Sequence, residues 1–141
     1  MSTRGLFGFI EDGNYTANYN HSDSYPGGLG AEFLTACKNG DFSGFEVVED
    51  RIDFLLDSLF CEWAYFYDKD KKLFEIWRGF QKVPDPENFF GQKDRDGYYP
   101  CKRIFSGGIN TINSSHLKDT ATLDAFIISS RRDSKISKII N

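Results

Sequence analysis

Cysteine is scarce in this chain. Cys37, Cys61 and Cys101 are an odd number, widely spaced, with no CxxC and no Cys/His pairing. That argues against a disulfide framework or a zinc site as the basis of the fold, and a reducing cytoplasm is the expected setting. No apolar run approaches the roughly 18 residues needed to span a bilayer, and the N-terminus has no cationic segment leading into a long apolar one, so neither a membrane span nor secretion is expected. A phosphate loop, GxGxxG, HExxH, GxSxG and paired metal-ligand spacing are all missing, so no metal and no cofactor is expected. Positive charge is also short. The formal net charge is -4, and without clustered cations no nucleic-acid partner is expected. The one basic stretch, Arg131, Arg132, Lys135 and Lys138 against Asp133, reads either as a solvated helix end or as a phosphate-binding patch.

What the chain has in quantity is aromatic residues, 16% of its 141 positions, with fourteen Phe and seven Tyr. Rings must therefore dominate its core or line a groove. The length suits a single domain over 1–141 with a real core, and 40% hydrophobic with 27% charged residues is ordinary for a water-soluble globular protein. Within the first thirty residues, two short apolar-alternating runs, one ending at Ile10 and one starting at Tyr15, are joined through Asp12-Gly13, the pattern of a β-hairpin closed by a tight turn. A polar, aromatic and glycine-rich loop with Asn20, His21, Asp23 and Tyr25 follows. On the end of a rigid hairpin, such a loop is where recognition or chemistry would be placed.

Leu29, Phe33 and Cys37 fall on one stripe and predict a helix over 28–38 that stops at Asn39-Gly40. A helix beginning near Gly28 would point its first N–H groups back at the His21–Tyr25 loop as an anion pocket; alternatively its glycines are there for steric reasons alone. Ser43 to Glu46 has the form of a capping box, and Val48, Ile52, Leu55 and Leu59 follow at helical spacing, predicting a second helix over 44–60. Trp63–Tyr67 and Leu73–Trp77 read as a second hairpin with apolar groups on both faces, which places it under cover on both sides. Its aromatic stripe is read as core, with a ligand platform as the alternative.

Residues 81–97, with Pro84, Pro86, Gly91 and Gly97, read as a long loop. Tyr98–Phe105 reads as an edge strand because Pro100 has no N–H for the ladder. Leu123–Ile128 reads as the last strand, and Ile136, Ile139 and Ile140 as a short terminal helix. The expected fold is α+β: an antiparallel sheet from two hairpins plus later strands, with the two main helices packed on one face.

The string Thr3-Arg4-Gly5, an apolar strand, Asp12-Gly13, then Tyr19-Asn20-His21-Ser22-Asp23-Ser24-Tyr25-Pro26 and Gly28-Leu29-Gly30 resembles the opening of a family of small bacterial and phage proteins of unassigned function. Residues 63–80 are similar to a later hairpin of the same proteins. The resemblance implies a shared fold and a viral or mobile-element context, with a host cytoplasm as the location, and no particular activity. The first hairpin is also similar to the opening of N-terminal nucleophile hydrolases of the bile-salt amidase type. It differs in carrying Ser2 where those enzymes use Cys. Bacterial processing is expected to remove Met1 ahead of the small Ser2, leaving an α-amine near neutral pKa that can act as base for the Ser2 hydroxyl. The likeness implies Ser2 as nucleophile, Arg4 as electrostatic partner, and Asn20 and Asp23 holding amine and oxyanion.

Read from the residues, His21 and Asp23 sit two apart on one strand face. Either the carboxylate orients the imidazole as a base, or Asp23 accepts loop N–H bonds before Tyr25-Pro26 and His21 is a surface residue. Two functions follow. One is a pocket that binds, and in the hydrolase reading cleaves, a small polar ligand using Ser2, Arg4, His21 and Asp23 with Tyr19, Asn20, Tyr25 and Gly28 around it. The other is an acidic inhibitor that occupies a host protein through its acidic surface and the aromatics of the 81–97 loop.

Overall fold

Asp12 and Gly13 take φ of 52° and 80°, the mirror-image turn whose twist matches the strands it joins. In the computed structural model, which describes residues 2–84, 93 and 97–140 (133–140 by backbone alone), this turn pairs β1 (Gly5–Glu11) with β2 (Asn14–Asn20) from Gly5↔Asn20 to Glu11↔Asn14. Strands β3 (Trp63–Asp68), β4 (Leu73–Arg78) and β5 (Lys102–Gly108) complete a five-stranded sheet in the order β2-β1-β3-β4-β5. The fold is α+β, but the sheet is mixed and not antiparallel. β1 and β3 run parallel, with Gly5 opposite Trp63. Between two parallel strands the chain must return to its starting end; here β2 makes that return and residues 21–62 join its end to the start of β3 past the edge of β1, an arrangement of which local alternation carries no sign.

A π-helical turn, Pro26–Gly30, leads into helix α1 (Ala31–Asn39), which ends at Gly40 with φ of 69°. The stripe of Leu29, Phe33 and Cys37 is buried against Phe7, Phe9, Tyr65 and Phe74. Helix α2 (Thr120–Ile140) adds Leu123 and Ile127 to the same cluster. Leu123–Ile128 is thus helix and not strand: the apolar run is short enough for either, and the Asp119 carboxylate accepts the Thr122 N–H (2.7 Å) and starts a helix. On the other face Leu6, Ile10, Ala17, Ala64 and Phe66 pack with Leu55, Cys61 and Cys101. Strand β3 is buried along its whole length between the two clusters.

No helix spans 44–60. Residues 41–51 are irregular, and only Ile52–Leu56 winds into a 3-10 turn. The capping box and spacing are outcompeted by side chains that offer the backbone other partners. Asp50 Oδ1 accepts the N–H groups of Ala17 (3.0 Å) and Ile52 (3.1 Å), and Asn18 Oδ1 accepts that of Val48 (3.1 Å). Gly44 takes φ of 84°, and Val48, expected on the buried stripe, is 86% exposed. The segment is spent on covering the β2 edge, where Arg51 N–H also donates to Ala17 O (2.7 Å). Asp50→Ala should therefore cost about 1–2 kcal/mol in urea unfolding and release that edge, seen as faster amide exchange at Ala17 and Val48.

Of the 81–97 loop, residues 85–92 and 94–96 lie outside the described residues, as do Met1 and the side chains of Lys135, Ile136, Lys138, Ile139 and Ile140. Among the described residues no helix is long and apolar enough to cross a membrane.

Candidate functional site

The parallel pairing of β1 with β3 determines which strand ends meet. Gly5 lies opposite both Asn20 and Trp63, and Trp63 lies opposite Arg78, so the starts of β1 and β3 and the ends of β2 and β4 share one end of the sheet. Pairing continues past the strands. Glu62 N–H donates to Arg4 O (2.9 Å), Gly79 N–H to Glu62 O (2.8 Å) and Ser24 N–H to Thr3 O (3.0 Å). Ser2, Thr3, Arg4, His21, Ser58, Leu59, Glu62 and Phe80 line a cleft of about 570 Å³ at this end.

Phe80 has φ of 55°, a left-handed conformation that a bulky side chain takes only under constraint. Its N–H donates to the buried Ser58 hydroxyl (2.9 Å) and its ring stands edge-on to Tyr98 at 5.0 Å, yet it remains 41% exposed in the cleft. Arg4 lies 5.9 Å over the Phe60 ring, and among the described residues no carboxylate is within ion-pair distance of it. His21 Nδ1 is 3.2 Å from the Tyr19 hydroxyl, and the Tyr19 ring is wedged edge-on against Phe54 at 5.2 Å. Tyr19 thus holds the imidazole in place.

Five of the candidate residues divide between two recesses, and Tyr19, Tyr25 and Gly28 line neither. Ser2, Arg4 and His21 line the cleft, whereas Asn20 and Asp23 line a separate recess of about 350 Å³ with Ser22, Glu32 and Phe45. His21 and Asp23 do not share a strand face, because β2 ends at Asn20 and the chain turns through Asp23 at φ of 55°. Asp tolerates that left-handed backbone better than most residues. Among the described residues its carboxylate accepts no hydrogen bond, so the Asx-turn is not formed; its main-chain carbonyl instead accepts the Leu29 N–H (2.9 Å). The Asn20 amide is engaged within the loop, donating to Ser22 O and to the Oγ of buried Ser24. Tyr65, its phenol pushed well above the usual range by burial, donates to Ser24 O (2.9 Å) and ties the loop to the core.

Of the two readings of Gly28, anion pocket or steric glycine, the local hydrogen bonds favour the second. Gly28 N–H donates to Tyr25 O (3.0 Å), Leu29 N–H to Asp23 O, and Pro26 has no N–H. Glycine at 28 is steric: a Cβ there would stand 2.4 Å from Asp23 O and 3.1 Å from the Tyr25 ring, which is itself 45% exposed. Ser58, Glu62 and Phe80 belong to the cleft without any local motif to mark them.

A second polar feature lies on the sheet's other face. Glu75, 4% exposed, accepts the Tyr15 hydroxyl (2.7 Å) and Trp77 Nε1–H (3.0 Å) at Oε1, and Arg103 (3.3 Å) at Oε2. Burial, then the neighbouring carboxylate, raises the Tyr15 phenol. The only sequence signal was a Glu flanked by Phe74 and Ile76 in a strand. With every polar group paired, this network is structural. Among the described residues no three His, Cys, Asp or Glu side chains are grouped to hold a metal ion.

No family model, no curated protein and no solved structure matches this chain. The likenesses to small bacterial and phage proteins and to N-terminal nucleophile hydrolases therefore rest on the quoted residues alone.

Proposed function

We propose that the cleft at the shared strand ends binds a small polar ligand bearing an anionic group, with Arg4 and His21 as its polar partners and Phe80 as an apolar wall. The observation that carries this reading is Phe80: beyond its edge-on contact with Tyr98, a bulky aromatic is held at a costly positive φ with its ring part-exposed in the cleft. Around it stand a cation with no ion-pair partner among the described residues, an imidazole held in place by Tyr19, and the Ser2 hydroxyl. Binding is favoured over hydrolysis because Asn20 and Asp23, the groups that would hold amine and oxyanion, line the other recess.

The test separates ligand contacts from folding contacts. Arg4→Ala and His21→Ala should each weaken binding of a carboxylate- or phosphate-bearing fragment by about tenfold or more while changing stability by less than about 1 kcal/mol, measured by calorimetric titration and urea unfolding. Phe80→Asn relieves the left-handed backbone and gives up the Tyr98 edge contact, so it should stay within about 1 kcal/mol of wild-type stability and still lose affinity. Stability losses that account for the lost binding would make these residues structural.

A second reading, a face that occupies another protein, is supported by the exposure of Leu59 (43%), Phe80 (41%) and Val83 (66%). It predicts that fragments leave the cleft untouched.

A further inference from the structure

Cys61 and Cys101 come from opposite ends of the second hairpin and the segment after it, yet their sulfurs are 3.4 Å apart. The backbone holds both in register. Cys61 N–H donates to Asp57 O (3.0 Å), Cys101 N–H donates to Leu55 O (3.1 Å), and the Cys101 thiol also points at Cys61 O (3.3 Å). Both residues are buried, at 0% and 1% exposure, against the Leu6–Phe66 face. Cys37 lies in the other cluster, on the opposite side of the sheet.

We propose that Cys61 and Cys101 are a dithiol that a small-molecule disulfide converts to an intramolecular disulfide, covalently tying the 57–62 wall of the cleft to the start of β5. The geometry asks little of the chain. The two sulfurs are already in contact and must close only to a bond of about 2 Å. Electrons balance by exchange. One protein thiolate attacks the small disulfide, forming a mixed disulfide and releasing one small thiol. The second protein thiolate then attacks the protein sulfur of that mixed bond and releases the other. The protein loses two hydrogens and two electrons, and the reagent gains them as two thiols.

Burial holds the Cys61 thiol well above its usual range and disfavours the attacking thiolate. Reaction therefore waits on opening of the 57–62 segment, which has turns but no helix or strand. Cys37, whose thiol burial pushes up to about 12, stands under α1 with no second sulfur beside it among the described residues. It is the internal control.

Oxidised glutathione is the probe. The native full-length protein is incubated with it, quenched in acid, unfolded, alkylated with iodoacetamide and mapped by mass spectrometry. The expected product has one alkylated cysteine, Cys37, and a Cys61–Cys101 peptide pair lighter by two hydrogens. Cys37→Ala should form the same link. In urea the register is gone, and the shorter loop between Cys37 and Cys61 should compete. Three alkylated cysteines, stable glutathione adducts without the link, or the same mixture of pairs in native buffer as in urea would overturn the proposal.

Discussion

Glu75→Ala should cost the protein about 2–4 kcal/mol, lowering its melting temperature by roughly 7–14 °C. The substitution strands a Tyr15 hydroxyl, a Trp77 N–H and one end of the Arg103 guanidinium on a face where Glu75 Oε1 and Oε2 were their common acceptor. A fully buried donor left unpaired costs about 1–3 kcal/mol, and Tyr15 and Trp77, half-buried, fall in the lower part of that range. The Arg103 share is the smallest, because that side chain is 42% exposed and water screens its ion pair. Glu75→Gln keeps an oxygen toward Tyr15 and Trp77 but turns an amide toward Arg103. It should cost only about 1–2 kcal/mol, so the pair of variants separates hydrogen bonding from charge. Urea unfolding of both checks it, and an alanine variant within about 1 kcal/mol of wild type would mean the carboxylate is not the anchor its contacts indicate.

A larger effect is expected from the smallest residue in β1. A Cβ on Gly8 would stand 1.8 Å from Thr16 O and 2.8 Å from Ala17 Cα. Those are backbone atoms of the paired strand and cannot swing aside as a flexible side chain would. Gly8 lies opposite both Ala17 and Phe66, so moving β1 disturbs the hairpin and the parallel ladder together. Gly8→Ala should cost on the order of 4–5 kcal/mol, against a total stability of about 5–15 kcal/mol for a domain of this kind. Loss of cooperative melting, or recovery only in inclusion bodies, is the expected outcome. A variant that melts within a few degrees of wild type would show that β1 and β2 are looser than their register implies.

The sequence was most informative where structure is local. Leu29, Phe33 and Cys37 mark α1 because one amphipathic stripe and one left-handed glycine suffice to define it. It misled where polar side chains compete with the backbone. Residues 44–60 carry a helical spacing of Val48, Ile52, Leu55 and Leu59, but Asn18 and Asp50 take the N–H groups that a helix would have used. Leu123–Ile128 was ambiguous for a different reason: six residues do not distinguish a strand from part of a longer helix.

The candidate site shows the same division. Arg4 and His21 were legible as a polar cluster near the first hairpin. That Glu62 and Phe80 join them, and that Asn20 and Asp23 do not, depends on the parallel pairing of β1 with β3, a contact between distant segments with no local trace. The closeness of Cys61 to Cys101 was hidden in the same way, since spacing along the chain does not report distance across a sheet.

Amide chemical-shift mapping tests the ligand cleft most directly. A set of small carboxylate- and phosphate-bearing compounds is titrated into the isotopically labelled protein, and the perturbed amides are placed on the fold. Binding at the shared strand ends predicts shifts concentrated at Thr3, Arg4, His21, Leu59, Glu62 and Phe80, lost in Arg4→Ala. Shifts centred instead on the recess of Asn20, Asp23 and Glu32, or no shift at any cleft amide across the whole set, would contradict it.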